Sequence, residues 1–351
     1  MANNIKDMAE ISLALYRKYR PDNFEDVRNQ EHIVSVLKGA LKKKMIPHAL
    51  LFTGPRGTGK TTVARIFAHE VGASDVDIYE IDAASNRGID DIRELKEAVH
   101  TLPFESPFKV YINDEVHMLS KDAFNALLKT LEEPPAHVIF VLATTEKDKV
   151  LDTIISRCQV FEFHSPSRDE LRDVVMSVAK KEKFKLDASV ADVIALSADG
   201  SYRDALGITQ KVMMASGDNV LTPDEVALVV GAPRNILLQE LVTSFAIKDI
   251  EKGLMALAQA NESHVDMKLF FKLLLERIRV IMMLRHNAKN ADTLLLQYTE
   301  EDRELLSGYA KDAKSPINSH LLVKIIDASA YIGKTSIGVL PLELLIIEHC
   351  N

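Results

Sequence analysis

The run Gly54-Pro55-Arg56-Gly57-Thr58-Gly59-Lys60-Thr61-Thr62 sets three glycines, a lysine and two hydroxyl residues at the spacing of a phosphate-binding loop. Glycines at these positions let the backbone turn tightly, so that several N–H groups converge on one anion. Lys60 then reaches β- and γ-phosphates, and the Thr61 hydroxyl holds Mg²⁺. A glycine turn that binds nothing is the plain alternative, and the flanking sequence argues against it. Ala49–Thr53 reads as a short buried strand, and Thr62–Ala68 as a helix with one apolar face. Strand, glycine loop and helix in that order put a helix N-terminus, with its partial positive charge, at the phosphate. The loop is therefore expected to bind a nucleoside triphosphate.

Hydrolysis needs more than a cradle. Val110-Tyr111-Ile112-Asn113-Asp114-Glu115 supplies an acidic pair at the end of a buried strand, some sixty residues after the loop begins. Asp114 is expected at the Mg²⁺, and Glu115 is expected to polarise the attacking water. Asn113 is a polar side chain in a buried strand and needs a hydrogen-bond partner, so it reads first as a satisfied structural amide. The strand Val138–Leu142 runs into Ala143-Thr144-Thr145, where a hydroxyl either orients water near the γ-phosphate or simply ends the strand. Arg157, in Ser156-Arg157-Cys158, precedes the last strand and so points away from its own nucleotide, which suits a neighbouring subunit's phosphate. Arg203, in Gly200-Ser201-Tyr202-Arg203-Asp204-Ala205, opens a helix from which it reaches back to the phosphates. Both arginines have a second reading as structural ion pairs.

The elements that must position these groups are short and nearly continuous in apolar character. After Ala49–Thr53 come Ile78–Asp82, Lys109–Asp114, Val138–Thr145 and Gln159–Phe163. That pattern predicts a parallel sheet covered on both faces. Ser120 is the expected N-cap of a helix over Lys121–Glu133, which Pro134-Pro135 terminates. From Asp169 onward the sequence reads as helices, with breaks near Leu221-Thr222-Pro223-Asp224 and Gly231-Ala232-Pro233. Three domains follow: an α/β nucleotide-binding domain over 1–166, a small helical unit over 167–230 and a larger helical unit over 231–351. Met267–Leu284 is a long amphipathic helix of the last.

Composition narrows the setting. The 351 residues are 47% apolar, with no run long enough to cross a bilayer and no apolar signal core after Met1. Two cysteines, Cys158 and Cys350, are too few for a disulfide framework or a cysteine zinc site, so a reducing cytoplasmic setting is expected, without membrane attachment. A net charge of −8 argues against a simple DNA-coating protein, yet the first seventy residues carry twelve Lys and Arg against seven Asp and Glu. Lys42-Lys43-Lys44 is the densest basic cluster, either solvated surface or a phosphate contact.

These motifs together resemble the gamma/tau family of bacterial DNA polymerase III clamp-loader ATPases, within the AAA+ superfamily. The resemblance is carried by Tyr16-Arg17-Lys18-Tyr19-Arg20-Pro21, the phosphate loop, Glu80–Asn86, Asp114–Ser120, Phe124–Pro135, Ala143-Thr144-Thr145, Ser156-Arg157-Cys158 and Gly200–Leu206. It covers about residues 13 to 230 in family order, and the last 120 residues match only as a helical collar-like region. It implies an AAA+ (P-loop) domain with a five-stranded parallel sheet, then a small helical lid and an all-α collar for oligomerisation. Lys60 and Thr61 would then be Walker A, and Asp114 and Glu115 Walker B. Thr145 would be sensor 1, Arg157 the trans-acting finger and Arg203 sensor 2. Tyr16, Arg20 and Pro21 would line the adenine pocket. The implied activity is ATP-driven opening of a ring-shaped sliding clamp and its closure around primed DNA. Implied partners are other loader subunits, further copies of this chain, the clamp, and DNA held through its phosphates, with Asn86–Asp90 as candidate contacts.

The sequence departs from the family in several places. No cysteine lies between Thr61 and Asp77, where the family carries a four-cysteine zinc module, so no zinc is expected. A segment written in the family with two valines and a glycine reads Val27-Arg28-Asn29-Gln30, and Asn113 replaces an apolar residue. The polymerase- and helicase-binding extension of the long form is expected to be absent. Two other readings stand beside the motor. One is a non-catalytic scaffold subunit, against which Lys60, Asp114, Glu115 and Arg203 all speak. The other is another AAA+ machine, such as a replication factor C small-subunit-like ATPase or a branch-migration motor.

Overall fold

The structure is a computed structural model describing residues 13–85, 88–263, 265–286, 294–295, 298–312 and 314–351, without the side chains of residues 89–91, 93 and 224. It divides into two compact units, one of Met1–Leu171 with Ala198–Gly207 and one of Arg172–Ser197 with Ile208–Asn351.

The first unit is built on five strands: β1 (Ala49–Thr53), β2 (Ile78–Asp82), β3 (Lys109–Asp114), β4 (Val138–Thr144) and β5 (Gln159–Glu162). They lie in the order β2-β3-β4-β1-β5, every pair parallel. Alternate residues feed two separate cores. Leu50, Phe52, Val110, Ile112, Val141 and Phe161 face helices Glu31–Lys43 and Lys60–Glu70. Leu51, Tyr111, Phe140 and Leu142 face helices Ile89–Val99 and Lys121–Glu132. Burial on both faces explains why these strands read as unbroken apolar runs. The expected helix ends hold: the Ser120 hydroxyl accepts from Ala123 N at 3.2 Å, and the helix stops before Pro134.

The register fixes where the loops emerge. Thr53 pairs with Thr144, Asp82 with Asp114 and Asn113 with Leu142. The phosphate loop, the acidic pair and Thr145 therefore leave the same C-terminal edge of the sheet.

The second unit is helical around Leu241, Phe245, Phe270, Leu274, Ile278, Leu306, Ile325 and Ile346. The expected long helix spans Met267–His286. Contrary to a purely helical reading, Lys185–Leu186 and Val220–Leu221 form a two-stranded parallel sheet. The break expected near Thr222 is a helix start. The Thr222 hydroxyl accepts from Glu225 N while Glu225 reaches back to Thr222 N, a reciprocal cap on Pro223–Val230 that Gly231 closes in a left-handed turn. Among the described residues no helix is long and apolar enough to cross a membrane.

Candidate functional site

The loop after β1 is shaped by its glycines. Gly57 sits at φ +74 beside Ser201, where an added Cβ would lie 1.9 Å from the Ser201 hydroxyl. Tyr202 N donates to Gly57 O at 3.0 Å, so the segment 198–207 is fastened to the loop. Gly59, at φ +100 with open space around it, is the N-cap of Lys60–Glu70 and offers no side chain to that helix's free N–H groups. A helix start left uncapped in this way is a natural seat for an anion. Thr58 braces the loop by donating to Pro55 O at 2.9 Å, while Arg56 is exposed.

Lys60 is 6% exposed, and its Nζ donates to Gly54 O and Pro55 O, both at 2.8 Å. Burial lowers its pKa, and the charges of Glu115 and Asp114 oppose that shift. The ammonium thus sits within the loop, facing the acidic pair. Thr61 Oγ1 donates to Asp114 Oδ2 at 2.7 Å, so two oxygens from different elements converge on one point. An all-oxygen pair beside a phosphate cradle suits Mg²⁺, which takes few protein ligands and fills its octahedron with water and phosphate. Among the described residues there is no group of three or more His, Cys, Asp and Glu able to hold a metal.

Glu115 adopts a left-handed backbone, φ +48, which is unfavourable for a non-glycine residue and is held here by side-chain contacts. Its Oε2 accepts from Thr145 N at 3.2 Å and Thr145 Oγ1 at 2.9 Å. Asp114 Oδ1 accepts from Glu115 N at 3.0 Å. The structure therefore brings Lys60, Thr61, Asp114, Glu115 and Thr145 together at one sheet edge.

The N-terminal residues border the same site. Arg20 Nε donates to Thr62 Oγ1 at 3.0 Å. Its pKa is lowered, first by burial and then by the charge of Arg65, with Arg203 adding to the effect and Glu80 opposing it. Arg65 itself forks onto Glu80 of β2, with Nη2 to Oε2 at 2.7 Å. The Arg203 guanidinium lies over the Tyr16 ring, 5.0 Å from its centroid. Pro21 follows Arg20 and is half-buried. Asn29, within the departing segment, holds φ +59, a conformation asparagine tolerates, and its side chain donates to Ser165 O at 2.9 Å. The segment Val27–Gln30 thus contains a left-handed residue at Asn29.

Arg157 lies apart from this group. It donates to Glu132 through Nε at 2.8 Å and also through Nη2, and to Thr153 O at 2.6 Å. Asn113 corrects the sequence reading. It is 2% exposed, yet neither its amide nitrogen nor its oxygen has a hydrogen-bond partner among the described residues. Its two strand neighbours at that level are Ile81 and Leu142, and neither side chain offers a polar atom. The lysine cluster ends the helix Glu31–Lys43 with exposed Lys42 and Lys43, where cations complement the helix dipole. Of the candidate DNA contacts, Asn86 and Arg87 and the side chains of Ile89 and Asp90 lie outside the described residues. Sequence reasoning missed Ser201 and Tyr202 at Gly57, and it missed His117.

The strand order, uncapped helix and acidic pair define a P-loop protein of the AAA+ class. The Rad17 P-loop domain model matches residues 10–113, and the model for the delta subunit of DNA polymerase III matches residues 70–167. A solved structure of the Thermotoga maritima RuvB Holliday junction branch migration motor matches with a TM-score of 0.52 at 21% identity, covering 65% of this chain and 80% of that one. That likeness concerns the fold alone. The DNA polymerase III subunit gamma of Buchnera aphidicola subsp. Baizongia pistaciae is 30% identical over 355 residues, 95% of this chain and 94% of its own length. The subunit tau of Bacillus subtilis is 43% identical over 274 residues, 72% of this chain but only 48% of its own length. This chain belongs to the gamma/tau family of DNA polymerase III subunits. It spans about half the length of the Bacillus relative and nearly all of the Buchnera one.

Proposed function

We propose that this chain is the ATPase motor subunit of a bacterial clamp loader serving the DNA polymerase III holoenzyme, using ATP to open a sliding clamp and load it on primed DNA. The observation that carries the reading is the pairing of Thr61 with Asp114 and of Thr145 with Glu115 beside one uncapped helix start. The loop from Gly54 to Thr62 cradles the phosphates, and Lys60 leaves its two loop carbonyls for the β- and γ-phosphates. Thr61 and Asp114 hold Mg²⁺, which when bound neutralises phosphate charge. Glu115 polarises the attacking water, and Thr145 holds that carboxylate in place. Tyr16, Arg20 and Pro21 border the base, and Arg203 senses the γ-phosphate. Arg157 serves the site of a neighbouring copy.

In this reading 1–166 is the motor domain, 167–230 the lid and 231–351 the collar. Val323, Ile326, Leu344 and Ile347 are exposed on helices joined by the Lys324–Glu348 ion pair, which supports a collar face that meets other loader subunits. Affinity differences between ATP and ADP states give the cycle direction. DNA is gripped through phosphates without base reading, in the cytoplasm, so binding weakens steeply with salt.

Lys60→Ala tests the proposal. In the assembled loader with clamp and primed DNA, ATP turnover is expected to fall at least about a hundredfold, as loss of a preorganised electrostatic contact does. Turnover equal to wild type would instead favour the scaffold reading.

A further inference from the structure

We propose that His117 is a positioning residue for Glu115, tying its carboxylate to Thr144 and Glu146 through the two ring nitrogens; the proposal rests on reading Glu115 as the group that polarises water. His117 lies on the short turn Val116–Met118 that follows Glu115, and its side chain is only 7% exposed. Nδ1 is 3.0 Å from Thr144 Oγ1 and 3.4 Å from Glu115 Oε2. Nε2 is 3.3 Å from Glu146 Oε1. Glu146 is fixed in turn, by Lys149 at 2.8 Å and by its own N–H donating to Thr144 Oγ1 at 3.0 Å. A chain of four charged or titratable groups, Lys149–Glu146–His117–Glu115, thus runs from the exposed loop after β4 to the proposed base.

The backbone explains why the base needs such a tether. Glu115 holds φ +48, a conformation that persists in a non-glycine residue only where its surroundings over-determine it. Thr145 grips one carboxylate oxygen from one side, and the imidazole meets the same oxygen from another. A ring protonated at Nδ1 donates toward Glu115 and Thr144, and one protonated at Nε2 donates to Glu146. The imidazole therefore orients the carboxylate much as a buried carboxylate orients the histidine of a catalytic triad. Both threonines come from the end of β4, so His117 also couples the turn after β3 to the neighbouring strand.

Three substitutions test this in the assembled loader with clamp and primed DNA. His117→Phe keeps the ring volume and removes both nitrogens. Turnover is expected to fall about tenfold to a hundredfold, the range found when an orienting partner is lost, while the KM for ATP and the affinity of the full chain for a non-hydrolysable analogue stay within about twofold. His117→Asn, whose amide matches the Nδ1 side, recovers most of the rate, and His117→Gln, which matches the Nε2 side, does not. A wild-type rate in His117→Phe, or equal rates in the Asn and Gln variants, overturns the proposal. Should the Phe variant not fold, the Asn and Gln pair decides alone. Glu115→Gln run in parallel keeps the two readings apart. If it abolishes turnover while His117→Phe does not, only the role of His117 falls; if it turns over normally, the reading of Glu115 falls.

Discussion

At the C-terminal end of the sheet, Lys60, Thr61, Asp114, Glu115 and Thr145 are already bonded to the loop or to one another, and three of the six bonds cross between elements. At the N-terminal end the comparable cation, Arg157, is bonded to Glu132 and Thr153, beside a cavity of about 500 Å³ lined by Lys44, His48, Glu132, Pro134 and Pro135. Gln159, the first residue of β5, pairs with Leu50, so Arg157 precedes the strands at one edge while Gly54 follows β1 at the other, with at least the stretch Leu50–Thr53, about 10 Å at roughly 3.3 Å per residue, between them. No side chain spans that gap. The carboxylates and hydroxyls are set in place within one chain, whereas the proposal gives Arg157 to the phosphates of another copy. Each end holds half of the proposed site.

The comparison breaks most visibly at Arg157. Arg157→Ala in every copy is expected to lower turnover of the assembled loader by about a thousandfold or more, the scale of a trans-acting arginine. Binding of a non-hydrolysable ATP analogue to the single chain should stay unchanged in the same variant. A loss of analogue binding would place Arg157 in its own chain's site and erase the contrast.

A smaller effect belongs to the strand-entry end alone. Asp77, fully buried just before β2, accepts backbone N–H bonds from Phe104, Glu105 and Ser106 just before β3. Burial pushes its pKa up, but these bonds outweigh it and hold the carboxyl at about 2, below an ordinary 3.8. A depressed carboxyl stabilises the fold above its ordinary pKa, and that contribution is lost as pH falls through the folded value. Stability measured by urea unfolding should therefore drop between about pH 4 and pH 2 in the wild type, and drop less in Asp77→Asn. Equal slopes for the two proteins would remove the clasp from the stability of this end.

Much of the C-terminal end of the sheet is legible in the chain itself because its signals are local. Three glycines, a lysine and two threonines in nine residues, or two acids after an apolar strand, specify their neighbours directly. What stayed hidden depends on contacts between distant segments. Nothing near Gly57 announces that Ser201 and Tyr202 will pack on it from about 145 residues away. His117 reads as one polar residue in a turn until the register of β4 brings Thr144 and Glu146 to its nitrogens. The sequence asked that Asn113 be satisfied, and the fold gives it only apolar neighbours at its level of the sheet. Asn29 was readable as part of a departure, but its left-handed backbone was not.

Mixing two inactive chains tests most directly whether a site is completed between copies. Lys60→Ala lacks the phosphate contact and keeps the arginine, while Arg157→Ala keeps the contact and lacks the arginine. Assembled together with the loader partners, clamp and primed DNA, they should regain turnover well above either alone, because some seams then pair an intact loop with an intact Arg157. A mixture no faster than its slower parent would show that the two ends of the sheet do not meet across a seam.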